Sequence, residues 1–177
     1  MRLDTFKKNN HYHVHGSENK KENIFIDDQD RARFIFLITH FQSPIRIYNV
    51  AFCSNAFFKK GSFITKDHKA KELLSKRNIE LNAFALLPNN FHLLIKNTEE
   101  GILSVYMHRI LTAYSKYFNA KYHKTGHVFN GPFEASQIKS NDQLPYLSNH
   151  LHQSPSIFVK RSFKTVGFAE PFVSFMP

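Results

Sequence analysis

Eleven histidines in 177 residues give this chain an ample supply of side chains able to ligate a metal or act as nucleophiles. His92 lies in the second of two apolar runs, Ile79–Leu87 and Phe91–Lys96, which Pro88-Asn89-Asn90 separates. His150 and His152 lie in a segment that Asn141 or Asp142 can cap and that Pro155 must end, so a helix is expected there. Side chains two apart on a helix do not face the same way, so at most one of these two joins His92 around a cation. A packing histidine is the plainer reading of His152. Tyr146 precedes His150 by one turn and shares its face.

A second chemistry is electrostatic. Lys and Arg number 24 against 14 Asp and Glu, for a net charge of +10 and a pI near 9.7. That excess favours a polyanionic partner through counterion release and steering. Lys59, Lys60, Arg109, Lys116, Lys121 and Lys124 stand near Phe57, Phe58, Tyr117 and Tyr122 in the sequence. Phosphate neutralisation combined with base stacking is how single strands are held. The competing reading puts the aromatics in the core and the lysines on a solvated rim, and for Tyr117 the core fits better. With 19 Phe and 7 Tyr but no Trp, many of the aromatics must be internal, because scattered surface Phe invites aggregation.

These side chains need a scaffold, and the hydrophobic periodicities outline one. Tyr12–Ser17 alternates Tyr12, Val14 and Gly16 against His13 and His15, the pattern of a strand that His11 continues. Asp27 or Asp28 can cap a helix reaching about His40, with Phe34, Ile35, Leu37, Ile38 and Phe41 on its buried face. Ile45–Phe52 is rich in β-branched and aromatic residues and reads as a strand. Phe57–Thr65 reads as a basic aromatic loop, followed by a short helix over Asp67–Arg77. The runs on either side of Pro88-Asn89-Asn90 read as a hairpin. From Ile102 to about Lys121, Leu103, Tyr106, Met107, Ile110, Tyr114 and Phe118 recur at three- and four-residue steps, which predicts a long helix. Lys124-Thr125-Gly126 reads as a turn before a last strand, Phe133–Ile138. Together these elements predict one α+β domain over residues 1–177, a ferredoxin-like or RRM-like sandwich in which helices pack on an antiparallel sheet. Residues 156–177 form an irregular aromatic tail in this scheme.

Some classes are excluded. Cys53 is the only cysteine, so neither an intrachain disulfide nor a four-cysteine zinc site can form. No run approaches the roughly 20 apolar residues needed to span a bilayer, and the basic start has no apolar stretch behind it. The expectation is a cytoplasmic protein with no membrane partner.

The string Ala85-Leu86-Leu87-Pro88-Asn89-Asn90-Phe91-His92-Leu93-Leu94 resembles the HUH motif of REP-associated and other single-tyrosine transposases, where two histidines flank one bulky apolar residue. Further resemblances keep the family's order. They comprise Tyr12-His13-Val14 with Asn19, Asp27-Asp28 with Asp30-Arg31, and Tyr117-Phe118-Asn119. The run Gly126-His127-Val128-Phe129-Asn130-Gly131 follows, then Leu147-Ser148-Asn149-His150 through Pro155, so the likeness spans roughly residues 11 to 155. In such a family the paired histidines and a third ligand from the last helix hold a divalent metal, Mg²⁺ or Mn²⁺. The metal polarises a phosphate that the helix tyrosine attacks. The resemblance implies DNA as partner, single-stranded or folded into a hairpin, and leaves both a monomer and a homodimer open.

Three positions depart from the family pattern. Asn90 replaces the first histidine, His150 stands at the nucleophilic tyrosine, and Ser154 occupies the third ligand position. The expected outcome is DNA binding without strand cleavage. An active transposase is the alternative, since an Asn carbonyl can ligate a hard cation, histidine can attack phosphorus, and Tyr146 lies one turn from His150. Against Tyr146, one turn is about 5.4 Å, whereas misplacement by about 1 Å can cost on the order of 100-fold in rate. An RNA-binding module is a third reading, because a basic, aromatic sheet can also stack RNA bases.

Overall fold

The computed structural model describes residues 6–19, 22–46, 48–60, 72 and 75–139. The expected last helix with Tyr146, His150, His152 and Ser154, the tail from 156, and most of the expected helix over 67–77 lie outside these residues. Within them the order is β1 (His11–Ser17), α1 (Asp28–His40), α2 (Val50–Lys60), β2 (Ile79–Leu87), β3 (Asn90–Asn97), α3 (Ile102–Tyr122) and β4 (Glu134–Ile138). The strands form one sheet in the order β2-β3-β1-β4, every neighbouring pair antiparallel. With α1 between β1 and β2 and α3 between β3 and β4, this is the ferredoxin-like arrangement expected from the sequence.

Local chemistry explains several boundaries. Asp27 accepts the Asp30 backbone N–H at 2.9 Å, and the Asp30 carboxylate accepts the Asp27 N–H at 3.2 Å, which closes a capping box on α1. Pro88 and Asn89 make the tight turn between β2 and β3, whose register pairs Leu87 with Asn90. Gly126 sits at φ +91°, a conformation few residues other than glycine adopt cheaply, within the expected turn.

One face of the sheet carries the core. Tyr12, Val14, Ile79, Leu81, Phe91, Leu93 and Ile95 are buried there against Phe34, Leu37 and Ile38 of α1 and Tyr106, Ile110 and Tyr114 of α3. Phe34 packs against Phe25, Phe91 and Tyr114 with ring centroids 5.0–5.2 Å apart. The buried phenols need acceptors, and they find backbone ones. Tyr106 Oη donates to the Ile38 carbonyl at 2.6 Å, and Tyr114 Oη donates to the Ile24 carbonyl. Gly16 is required by packing, because a Cβ there would lie 2.8 Å from two carbons of the Phe91 ring.

One region departs from the sequence expectation. Residues 50–52 of the expected strand Ile45–Phe52 and residues 57–60 of the expected loop Phe57–Thr65 belong to a single helix, α2. Strand propensity reflects the fit of a side chain to a pleated, half-buried surface, and here tertiary contacts override it. Asn49 Oδ1 accepts the Phe52 N–H at 3.1 Å and starts the helix. Arg33 of α1 donates to the Val50 carbonyl at 3.0 Å and to Ser54 Oγ, which pins α2 against α1. No described helix is long and apolar enough to cross a membrane.

Candidate functional site

The strand period of two sends Asn90 and His92 to the same side of β3, the side away from α1 and α3. Register then decides which side chains join them. Ala85, His92, His15 and Glu134 lie in one row across all four strands. His13 is the next residue along β1 on that face. The His13 and His92 rings stack with centroids 5.2 Å apart, and His13 Nε2 lies 3.0 Å from His92 Nδ1, a hydrogen bond whose direction depends on the tautomers. His15 is 5.6 and 5.7 Å from the two, ring to ring, and its Nε2 lies 3.4 Å from Glu134 Oε2. Partial burial, and next the charge of His15, hold His13 below the usual imidazole range. Ala83, Ala85 and Leu94 make a small buried apolar patch beside the row.

Asn90 stands out among these groups. Its Nδ2 donates to Asn89 Oδ1 at 3.2 Å, while its own Oδ1 is buried with no hydrogen-bond partner. A buried carbonyl oxygen with unmet capacity is a donor that a hard divalent cation accepts, and His92 supplies an imidazole on the same face. Asn90 Oδ1 and His92 are thus the two groups of this face whose chemistry suits a hard cation such as Mg²⁺ or Mn²⁺. Among the described residues, no group of three His, Cys, Asp or Glu is arranged to hold a metal ion.

The basic candidates have different fates. Lys59 on α2 and Lys116 on α3 are exposed, and the Lys60 side chain lies outside the described residues. Arg109 is half-buried, with its guanidinium 4.3 Å from the centre of the Phe41 ring. Lys124 pairs with Glu22. Lys121 is committed internally, 2.6 Å from Asp27 Oδ2 and 2.8 Å from Asp30 Oδ1. Burial alone would lower its pKa, but the hydrogen bonds to Asp27 and Asp30 outweigh that and raise it well above the ordinary lysine value. Tyr117 and Tyr122 donate to the two oxygens of Asp30 at 2.9 and 2.8 Å. Tyr117 is therefore neither pure core nor a free stacking surface. Burial, followed by the Asp30 bond, pushes the Tyr122 phenol up to about 12.

Several residues that carry the family resemblance meet in space for structural reasons. Asn119 Nδ2 donates to the Gly126 carbonyl at 2.9 Å, Asn19 Nδ2 to the His127 carbonyl at 3.4 Å, and the Asn130 N–H to the Ser17 carbonyl at 2.9 Å. Three separate motifs thus close one loop cluster at the end of β1. Sequence reasoning missed two features altogether: the role of His13 and His15 as neighbours of His92, and the buried carboxylate of Asp30 as a hub. The alternation of His11, His13 and His15 signalled a shared face, but only the pairing of β1 with β3 brings in a residue 79 positions away. The spacing of Asp27 and Asp30 signalled a cap and gave no sign of Tyr117, Lys121 and Tyr122.

No protein-family model matches the chain, and no curated protein matches it. Among solved structures, one to which it is similar is described as a REP-associated tyrosine transposase bound to a REP hairpin. The identity is 12% and the TM-score 0.49, over 90% of this chain and 72% of that one.

Proposed function

We propose that this chain binds DNA, single-stranded or folded into a hairpin, as a descendant of single-tyrosine transposases that has lost strand cleavage. The observation that carries this reading is the ordered run of family-like motifs from residue 11 to 155 on a chain of net charge +10, with Asn90, His150 and Ser154 at its three chemical positions. Exposed Lys59 and Lys116 supply phosphate contacts. The same reading places the protein in the cytoplasm and is compatible with a monomer or a homodimer.

A specific observation also favours a second reading, retained metal-dependent nicking: Asn90 Oδ1 is buried without a partner beside His92. One experiment separates the two. The protein is incubated with single-stranded hairpin oligonucleotides and Mg²⁺ or Mn²⁺, and both gel retardation and covalent adducts are scored. Retardation without cleavage is expected. A covalent adduct that disappears in Tyr146→Phe or His150→Ala would establish nicking instead. The combined variant Asn90→His, His150→Tyr and Ser154→Asn should regain cleavage. Stronger retardation of RNA hairpins than of DNA hairpins would overturn the choice of partner.

A further inference from the structure

We propose that the outer side of α2 is a stacking platform for single-stranded DNA, built on Tyr48 and Phe52 and flanked by Arg46 and Lys59. This deepens the DNA-binding reading above and rests on it.

Large apolar side chains are mostly internal in this fold, so the exceptions are informative. Tyr48 is 85% exposed and Phe52 62% exposed, and Phe58 near the end of the same helix is also exposed. The backbone beneath them is held firmly. Asn49 caps α2 through the Phe52 N–H, Ser54 is buried against α1, and Gln29 of α1 donates to Asn55 at 3.2 Å. The helix therefore spends Val50, Cys53 and Ser54 on packing and turns Phe52 and Phe58 outward, with Tyr48 exposed just before its start. A lone surface aromatic needs no explanation, but large exposed ones four positions apart, as Tyr48 and Phe52 are, mark a surface for a partner.

Charge decides which partner. From Arg31 to Lys66 the sequence contains no Asp or Glu, while Arg31, Arg33, Arg46, Lys59, Lys60 and Lys66 are cationic. Arg46 and Lys59 are exposed on either side of the aromatic pair in sequence. The carboxylate of Asp28 at the start of α1 is matched by Arg31 at 3.4 Å. Exposed aromatic faces between cations that pair with no described carboxylate are what an unpaired strand requires, with bases stacking on the rings and phosphates meeting the cations. A second copy of this chain would instead bring two acid-free basic segments together, each on a molecule of net charge +10. Duplex DNA offers no unstacked base to the rings.

The test uses the full chain and three fluorescent DNA probes: an oligo-dT strand, a blunt hairpin closed by an abasic linker so that it carries no unpaired base, and the same hairpin with a single-stranded tail. For the double variant Tyr48→Ala/Phe52→Ala, affinity for oligo-dT and for the tailed hairpin should fall by about 30-fold or more, given the usual worth of two stacked bases. Affinity for the blunt hairpin should stay within about twofold, and the salt dependence of the remaining binding should not change, because no charge is removed. The paired Tyr48→Trp/Phe52→Trp variant should restore oligo-dT binding, which separates stacking from a folding defect. Unchanged oligo-dT affinity in the alanine pair would overturn the platform while leaving hairpin binding intact. Equal losses on all three probes would also overturn it. Failure of the wild-type chain to bind any probe would sink the DNA-binding reading and the platform with it. Preference for oligo-U over oligo-dT, or self-association abolished by the alanine pair, would assign the surface to RNA or to a second copy instead.

Discussion

At the seam between α1 and α3, Asp30 is fully buried and its carboxylate accepts from the Ile26 and Asp27 backbone amides, from Tyr117 and Tyr122, and from Lys121. On the opposite side of the sheet, His13, His15, His92 and Asn90 also gather polar atoms, yet among the described residues Asn90 Oδ1 has no partner, and His15 pairs with an exposed carboxylate, that of Glu134. Both clusters draw on distant strands or helices. The seam satisfies its groups internally and so acts as structure. Beside the histidine row, the Asn90 carbonyl oxygen is left unmatched among the described residues. Composition alone makes Lys121 and Lys59 equivalent cations, but Lys121 is held by two carboxylates while Lys59 is exposed and, among the described residues, pairs with none.

The sharpest way to break this contrast is at Asp30. Asp30→Ala strands two backbone amides and two phenols and leaves the Lys121 ammonium with Asp27 alone, and should cost about 2–4 kcal/mol of stability in urea unfolding. A loss below about 1 kcal/mol would mean that the seam is not a structural unit. That threshold corresponds to the usual worth of a surface ion pair.

His40, at the end of α1, shows a third way of burying a polar group. It stacks on Phe36 with centroids 4.1 Å apart, and burial holds its pKa down to about 4, with a partial offset from its hydrogen bond to the Phe36 backbone. Its folded value therefore lies below the ordinary 6.5, so the unfolded chain binds more protons between pH 6.5 and about 4. The contribution is complete above 6.5 and is lost as pH falls, levelling off below about 4. Between pH 7 and pH 5 the stability difference between wild type and His40→Gln should shrink by about 2 kcal/mol, at roughly 1.4 kcal/mol per pH unit. Parallel stability curves for the two proteins would refute the assignment.

The smallest effect concerns the row itself. An unsatisfied buried carbonyl is costly, so Asn90→Leu should stabilise the metal-free protein by about 1 kcal/mol in thermal or urea unfolding. Addition of Mn²⁺ should then narrow the gap by stabilising the wild type alone. A destabilised Asn90→Leu would show that the carbonyl already has a partner, and the contrast with the seam would weaken.

Much of the scaffold was legible from sequence because its signals are local. The alternation in β1, the capping aspartates of α1, the turn between β2 and β3, and the apolar stripe of α3 each depend on residues within a few positions of one another. The α2 segment was misread for the same reason. Its β-branched and aromatic residues favour a strand locally, whereas Arg33 and the α1 surface, far away in sequence, select a helix. Of the candidate site, the sequence by itself determined that Asn90 and His92 share a face and that the chain carries a large cationic excess. Only the tertiary structure decided that His13 and His15 join them, that Lys121 is spent on Asp27 and Asp30, and that Tyr48 and Phe52 point outward. Those outcomes depend on strand register and helix docking, which bring together side chains dozens of residues apart, and no local periodicity encodes such meetings.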